Sequence, residues 1–561
     1  MKTIAAIPYI LAISLYALGT SPSVANSPTQ NAANFSYDSL YKILLAEIAL
    51  QRGQTSIALQ EYSQQAQNTQ DEQVIERALQ IANFLQDTQA ALPLSKQWST
   101  LFPQQSKAFH QLAYHSLKTQ NFAQAMTAID KLLILEPEAE LENLFLSAYP
   151  NNPEQRQQLL NALIALEKTY PKNPHLLFAH ALLTGENGNL NQAISVIEKA
   201  KKLNPHSIPT VLLHARLLSL NKQNNLALQS LTQALKKQPE SPQLNMHYIR
   251  ALISTKDYQG AEKKLTQLLL KNPQNTEMLL MHALLSYDNQ HDTDAIISLK
   301  RLIELNSNIN EAYYYLGMIA KRQENLSQAE IYLSQIQEGE RYLNAQAELA
   351  QLRLKDQRQA QVKAQFNEAR QSNPDIASTL YALEAEVLRS NHQLEEAYNV
   401  LEDAVKKYPQ DNNLLFNRAL LAERRDNLIQ FETDMLELLK RDANNPSYLN
   451  AYGYTLANRT DRLKEADVLL RAAIKLRPTD PAIMDSVGWL LYKQGYTFEA
   501  LTYIKKAFAA SVDEEIGLHL AEILWVSGYK KEAIDTWRQL LKQNPNSEEV
   551  LKHRALWENK P

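Results

Sequence analysis

The stretch NLNQAISVIEKAKKLNP at residues 189–205 is followed by NNLALQSLTQALKKQP at 224–239 and DYQGAEKKLTQLLLKNP at 257–273. Aligned on the small residue ahead of each apolar run, they place Ala193, Ala227 and Ala261 at one constant interval, with Pro205, Pro239 and Pro273 at a constant distance behind them. Ala295 and Ala329 continue the beat. Backwards it lands on Leu159, Ala125, Ala91 and Ala58; forwards on Val362, Ala397, Phe431, Ala466, Ala500 and Ala533. A period of about 34 residues, sustained over fifteen units, is the mark of a repeat architecture in which each unit leaves an apolar face for its neighbour to cover.

Inside a unit the pattern resembles the tetratricopeptide repeat, two short helices with small residues where they cross. In the last unit Leu520-Ala521 and Ala533 supply the small positions, Trp537 and Leu540 the inward face of the second helix, and Pro545 the stop. The expected fold is therefore all-α, an α-solenoid superhelix of about fifteen such helix-turn-helix repeats, continuous over residues 37–561. Twelve glycines in 561 residues fit a helical chain.

Ahead of the repeats, residues 1–25 read as a secretory signal peptide. Lys2 gives a weak positive start, Ile4 to Leu18 a mostly apolar stretch, and Ser23-Val24-Ala25 a small-residue exit with cleavage expected after Ala25. Residues 26–36 read as a polar linker. The expected location is the periplasm. Cysteine is absent, which removes disulfides, thiol nucleophiles, Cys-ligated metals and a lipid-modified N-terminal cysteine.

Chemistry-bearing constellations are sparse. The formal charge of −4, from 57 basic and 61 acidic residues, argues against a nucleic-acid binder. Lys199, Lys201 and Lys202 read as a solvated helix end. His180, His214 and His282 share one repeat position with His247 one residue off, and helices about 10 Å apart are too widely spaced to make them ligands of one ion. Gly185-Glu-Asn-Gly188 reads as a turn rather than a phosphate loop, Glu384 and Glu386 point different ways on a helix, and no Gly-x-Ser-x-Gly elbow occurs. No catalytic residue, metal or cofactor is expected.

Binding residues are sought instead on the first helix of each hairpin, where the tetratricopeptide resemblance implies a concave groove. Those positions give Asn450, Tyr454 and Asn458; Asp485, Trp489, Tyr492 and Lys493; Glu522 and Trp525; and a second cluster of Tyr314, Tyr315, Met318, Lys321 and Arg322. Exposed aromatics interleaved with amides and acids, as expected here, suit an extended peptide or a partner helix. The paired-carboxylate clamp of chaperone-binding repeats is not reproduced, Asn417 alone fitting it.

Two ends of the chain carry a narrower resemblance. Leu449-Asn-Ala-Tyr-Gly-Tyr-Thr-Leu-Ala457, Pro481-Ala-Ile-Met-Asp-Ser-Val-Gly-Trp489 and Gly517-Leu-His-Leu-Ala-Glu-Ile-Leu-Trp525, with Leu40-Tyr-Lys-Ile-Leu-Leu-Ala-Glu-Ile-Ala-Leu-Gln-Arg-Gly53 at the start, resemble the Gram-negative envelope tetratricopeptide proteins that partner a carboxyl-terminal processing protease. That resemblance implies a non-catalytic adaptor that brings the protease to peptidoglycan (murein) hydrolases. It also implies a lipid-modified cysteine, for which this cysteine-free chain offers no residue, so outer-membrane anchoring is not expected. The alternative is the periplasmic scaffold of a polysaccharide or pilus export machine. An enzyme ranks third.

Overall fold

The computed structural model describes residues 35–558, so the expected signal peptide and most of the linker lie outside the described residues. Among those residues there are thirty-one α-helices and no strand. All fifteen beat residues fall on the second helix of a hairpin, from Ala58 in Thr55–Thr69 to Ala533 in Lys530–Gln543. Each is at most 1% exposed. Where the residue is alanine it has no room to grow, because the first helix crosses close over it; Leu159, Val362 and Phe431 fill the position in three units. Ala227→Leu is expected to cost roughly 1–3 kcal/mol through overpacking, read as a fall in melting temperature.

The chain divides into two compact units, residues 1–261 and 262–561. Within each, substantial contacts join only helices one or two places apart along the chain. That is the contact pattern of a solenoid, in which stability is a sum of hairpins and nearest-neighbour interfaces.

The same period sets the helix ends. Asn173, Ser207, Ser241 and Asn275, spaced at that same interval in the sequence, accept hydrogen bonds from the first backbone N–H groups of the helices they precede. Proline follows directly at Pro174, Pro242, Pro446 and Pro481, where its missing N–H costs nothing. The turn inside most hairpins uses a left-handed residue. Gly188, Gly495 and Gly528 supply it at φ 87°, 90° and 86°, but Lys222, Lys256, Gln290, Glu324 and Asp426 adopt it as well, at a cost of roughly 1 kcal/mol each. The Gly185–Gly188 segment is thus the ordinary turn it reads as.

Two features depart from the even beat. The first helix of the fourth hairpin is cut to Glu142–Ala148, with Pro150 and Pro153 close behind it. A single helix, Glu548–Glu558, follows the fifteenth hairpin and closes the last core with Val550, which is fully buried.

The repeated histidines tie first helices to second ones. His180 Nδ1 lies 2.7 Å from Glu167, His214 Nδ1 3.1 Å from Ser230 Oγ, and His282 Nδ1 2.9 Å from Ser298 Oγ with its Nε2 3.0 Å from Thr266 Oγ1. Lys201 is not the solvated helix end expected. It is half-buried and donates to Ser230 Oγ at 2.7 Å, and burial lowers its pKa.

Two buried histidines make the fold acid-sensitive. His115 is 2% exposed with no hydrogen-bond partner on either ring nitrogen, and burial pushes its pKa down to about 4. Burial, with Lys201 alongside, does the same to His214, again to about 4. Because the unfolded chain takes up these protons near pH 6.5, stability is complete above that value and is lost as pH falls towards 4. Each ring withdraws roughly 2 kcal/mol at pH 5. His175 works the other way. The Glu142 carboxylate against its Nδ1 at 2.8 Å raises its pKa against the effect of burial, so its contribution is present below pH 6.5 and fades above its raised pKa. Melting His115→Gln and the parent at pH 7.5 and pH 5 should show a smaller acid-induced drop in the variant.

Candidate protein-binding site

Three successive first helices, Pro446–Arg459, Pro481–Lys493 and Glu514–Val526, bring most of the C-terminal candidates together. Asp480 and Asp513 cap the second and third, fixing where the chain enters. Gly453 and Gly488 let the paired helices close up: a Cβ at Gly488 would sit 2.3 Å from Ile504 Cγ1, and one at Gly453 2.7 Å from Leu470 Cγ. The faces so aligned enclose a cleft of about 370 Å³ lined by Asn450, Tyr454, Asp480, Asp485, Asp513 and Glu515 among others, with no lysine or arginine in its wall.

At its back, His519 holds the candidates in register. Its Nδ1 meets both Asp485 carboxylate oxygens at 2.9 and 3.1 Å, and the Trp489 ring stacks on it with centroids 4.0 Å apart. Trp489 Nε1 donates to Asn458 Oδ1 at 3.1 Å, and the Tyr454 hydroxyl donates to Glu515 at 2.7 Å. Burial would hold His519 neutral, but the Asp485 carboxylate outweighs it and raises the ring's pKa. The Asp485–His519–Tyr454 sequence looks like a relay to a nucleophile, yet burial, then Glu515 and Asp485, push the phenol far above its usual pKa. Its proton is committed to Glu515. No group of three or more metal-ligating side chains occurs among the described residues.

The structure corrects the expectation of exposed aromatics here. Trp489 is 7% and Asp485 5% exposed, because both are spent on His519, a residue from the next repeat. Tyr454 and Tyr492 are half-buried, and burial followed by Glu522 pushes the Tyr492 phenol up to about 12. Asn450 is half-buried with its Oδ1 closed off from solvent and unbonded. Asn458 and Lys493 are exposed but outside the cleft lining, Lys493 Nζ 5.8 Å from the Trp489 ring. Trp525 is half-buried 5.6 Å from Trp537, with Lys530 4.9 Å over its ring, and Glu522 lies 3.5 Å from His553. His519 and Glu515 went unread in the sequence. The available signal was that His519 stands one full repeat after Asp485, at the same repeat position.

The second cluster is a separate surface on the helix Ile309–Arg322. Tyr287, Tyr315 and Tyr314 form an edge-to-face ladder with centroids 5.1 and 5.5 Å apart. Arg341 lies 5.0 Å over Tyr314, and Arg322 4.4 Å over Tyr287. Lys321 pairs with Glu348 and Arg322 with Asp292, while Met318 is half-buried beside them in sequence. Lys321 and Arg322 also border an open cleft of about 830 Å³ with Lys355.

Hairpins of this geometry define a class, and the chain belongs to the tetratricopeptide-repeat proteins. Residues 218–285 match the family model described as tetratricopeptide repeat. The chain is 35% identical over 489 residues to the TPR repeat-containing protein PA4667 of Pseudomonas aeruginosa, covering 87% of this chain and 83% of that one. Among solved structures, Naa15/Naa10 bound to HypK-THB and yeast Tom70 each align at 15% identity and a TM-score of 0.31, over 93% of this chain and 100% and 95% of theirs. Tetratricopeptide arrays are protein-interaction scaffolds. Among the described residues no helix is long and apolar enough to cross a membrane.

Proposed function

We propose that this chain is a non-catalytic periplasmic adaptor that holds a carboxyl-terminal processing protease together with peptidoglycan hydrolases, so that the hydrolases are degraded. One observation carries the reading. The runs that resemble protease-partner proteins, 449–457, 481–489 and 517–525, meet around His519, which touches Tyr454, Asp485 and Trp489, and of these Tyr454 and Asp485 line the cleft. A site whose polar side chains are hydrogen-bonded to one another, with Asn458 and Lys493 exposed and Trp525 half-exposed on the same three helices, is built to recognise, not to react. Export is supported by the apolar stretch and small-residue exit of residues 1–25.

The two tryptophans separate binding from folding. Trp525→Ala should weaken capture of protease or hydrolase from envelope extract by about 2 kcal/mol, roughly thirtyfold. Trp489→Ala should instead lower the melting temperature, since that ring is core. Unchanged capture by Trp525→Ala moves the site elsewhere. Recovery of neither partner class by the parent protein overturns the proposal.

A further inference from the structure

The first helix, Tyr37–Gln51, has an inner face of Ser39, Ala46 and Ala49 that joins the core with Ala58, Tyr62 and Ala66. Its outer face is apolar and open. Tyr37 is 95% exposed, Tyr41 63%, Leu44 59% and Ile48 40%, with Leu40 alongside at 51%. The first four are spaced by four, three and four residues, which is the seam of a two-stranded coiled coil. A repeat array needs a polar outer face on its end unit, and this one has the reverse. The preceding residues 26–34, Asn-Ser-Pro-Thr-Gln-Asn-Ala-Ala-Asn, contain no leucine, isoleucine, valine or aromatic side chain with which to cover it.

We infer that the stripe is a homodimer surface, covered by the same stripe of a second copy of this chain, with the two helices antiparallel about a twofold axis near Leu44. Charge decides the direction. Asp38 stands at the start of the helix, in an exposed pair with Lys42 at 3.3 Å that leaves its other oxygen free to accept, and Arg52 stands just after the helix end, also exposed. Antiparallel pairing sets Asp38 beside Arg52 of the partner subunit at both ends, and Tyr37 within reach of the same guanidinium. Parallel pairing would set like charges together and align the two helix dipoles. Size sets the strength. At about 200 Å² for a whole aromatic side chain, the stripe offers roughly 500 Å² per copy. Two copies together bury about 1,000 Å², the lower bound of specific interfaces, so the dimer is weak and concentration-dependent.

Sedimentation velocity of the full chain, run up to about 100 µM, should show the mass doubling with concentration. Tyr41→Glu/Leu44→Glu should weaken association at least about tenfold while melting like the parent, because both side chains are exposed. The absence of cysteine makes single-cysteine variants clean probes. Under mild oxidation Leu44→Cys should link to itself, and Tyr37→Cys should link to Arg52→Cys in a mixture but not to itself. A monomer at every concentration overturns the inference. So does self-linking of Tyr37→Cys as fast as Leu44→Cys, and so does a stripe that becomes protected only when envelope extract is added, since another protein then covers it.

Discussion

Trp537→Ala should destabilise the C-terminal hairpins by about 3–5 kcal/mol. Trp537 is fully buried on the helix Lys530–Gln543, its Nε1 donates to His553 Nδ1 at 3.2 Å, and Trp525 leans on it. Its loss leaves a cavity between the last hairpin and the closing helix Glu548–Glu558, whose substantial contacts are all with that hairpin. Because an array unfolds by stages, the effect should concentrate locally. Hydrogen exchange should accelerate over residues 514–558 while residues 72–135 keep the parent's protection. An unaltered exchange map would mean that these helices are not stacked as described.

Arg370→Met should cost a similar amount, about 3–5 kcal/mol, and the loss should depend on pH. Arg370 and Glu384 are 8% and 2% exposed, joined Nη1 to Oε2 at 2.5 Å, with the guanidinium 3.9 Å over the Tyr381 ring. Burial already raises the Glu384 pKa against the pull of Arg370. Without the arginine the carboxylate is stranded and its pKa climbs further. A raised folded-state pKa contributes stability below the unfolded value and loses it as pH rises, so the variant should melt closest to the parent near pH 5 and furthest below it near pH 8. The double variant Arg370→Met/Glu384→Leu should recover most of the loss, because no charge is left buried. A single variant as stable as the parent at pH 8 would mean that the pair is solvated.

The hairpin array was legible because one physical requirement recurs: a buried residue, alanine in all units but those of Leu159, Val362 and Phe431, where two helices cross. Fifteen positions read from that rule are all buried. The helix caps went unread, although Asn173, Ser207, Ser241 and Asn275 fall on the same beat. The left-handed turns were not legible, since Lys222 or Asp426 does there what Gly188 does and carries no glycine signal. Nor was the truncation at Glu142–Ala148, which depends on two prolines off the beat. At the candidate site the helix positions were legible but the side-chain orientations were not. Asp485 and Trp489 sit where groove residues sit, yet they turn inward because His519 arrives from the following repeat. Helix spacing excludes only one shared metal ion among the repeated histidines; it leaves an aspartate and a histidine at equivalent positions free to reach each other, as Asp485 and His519 do at 2.9 Å.

The adaptor reading stands or falls on a three-component degradation assay with purified processing protease, a murein hydrolase and this chain. The account predicts that the hydrolase disappears rapidly only when all three are present, that Trp525→Ala slows its loss, and that the chain alone cleaves nothing. Hydrolase loss at the same rate with and without the chain, or cleavage by the chain unaided, would contradict it.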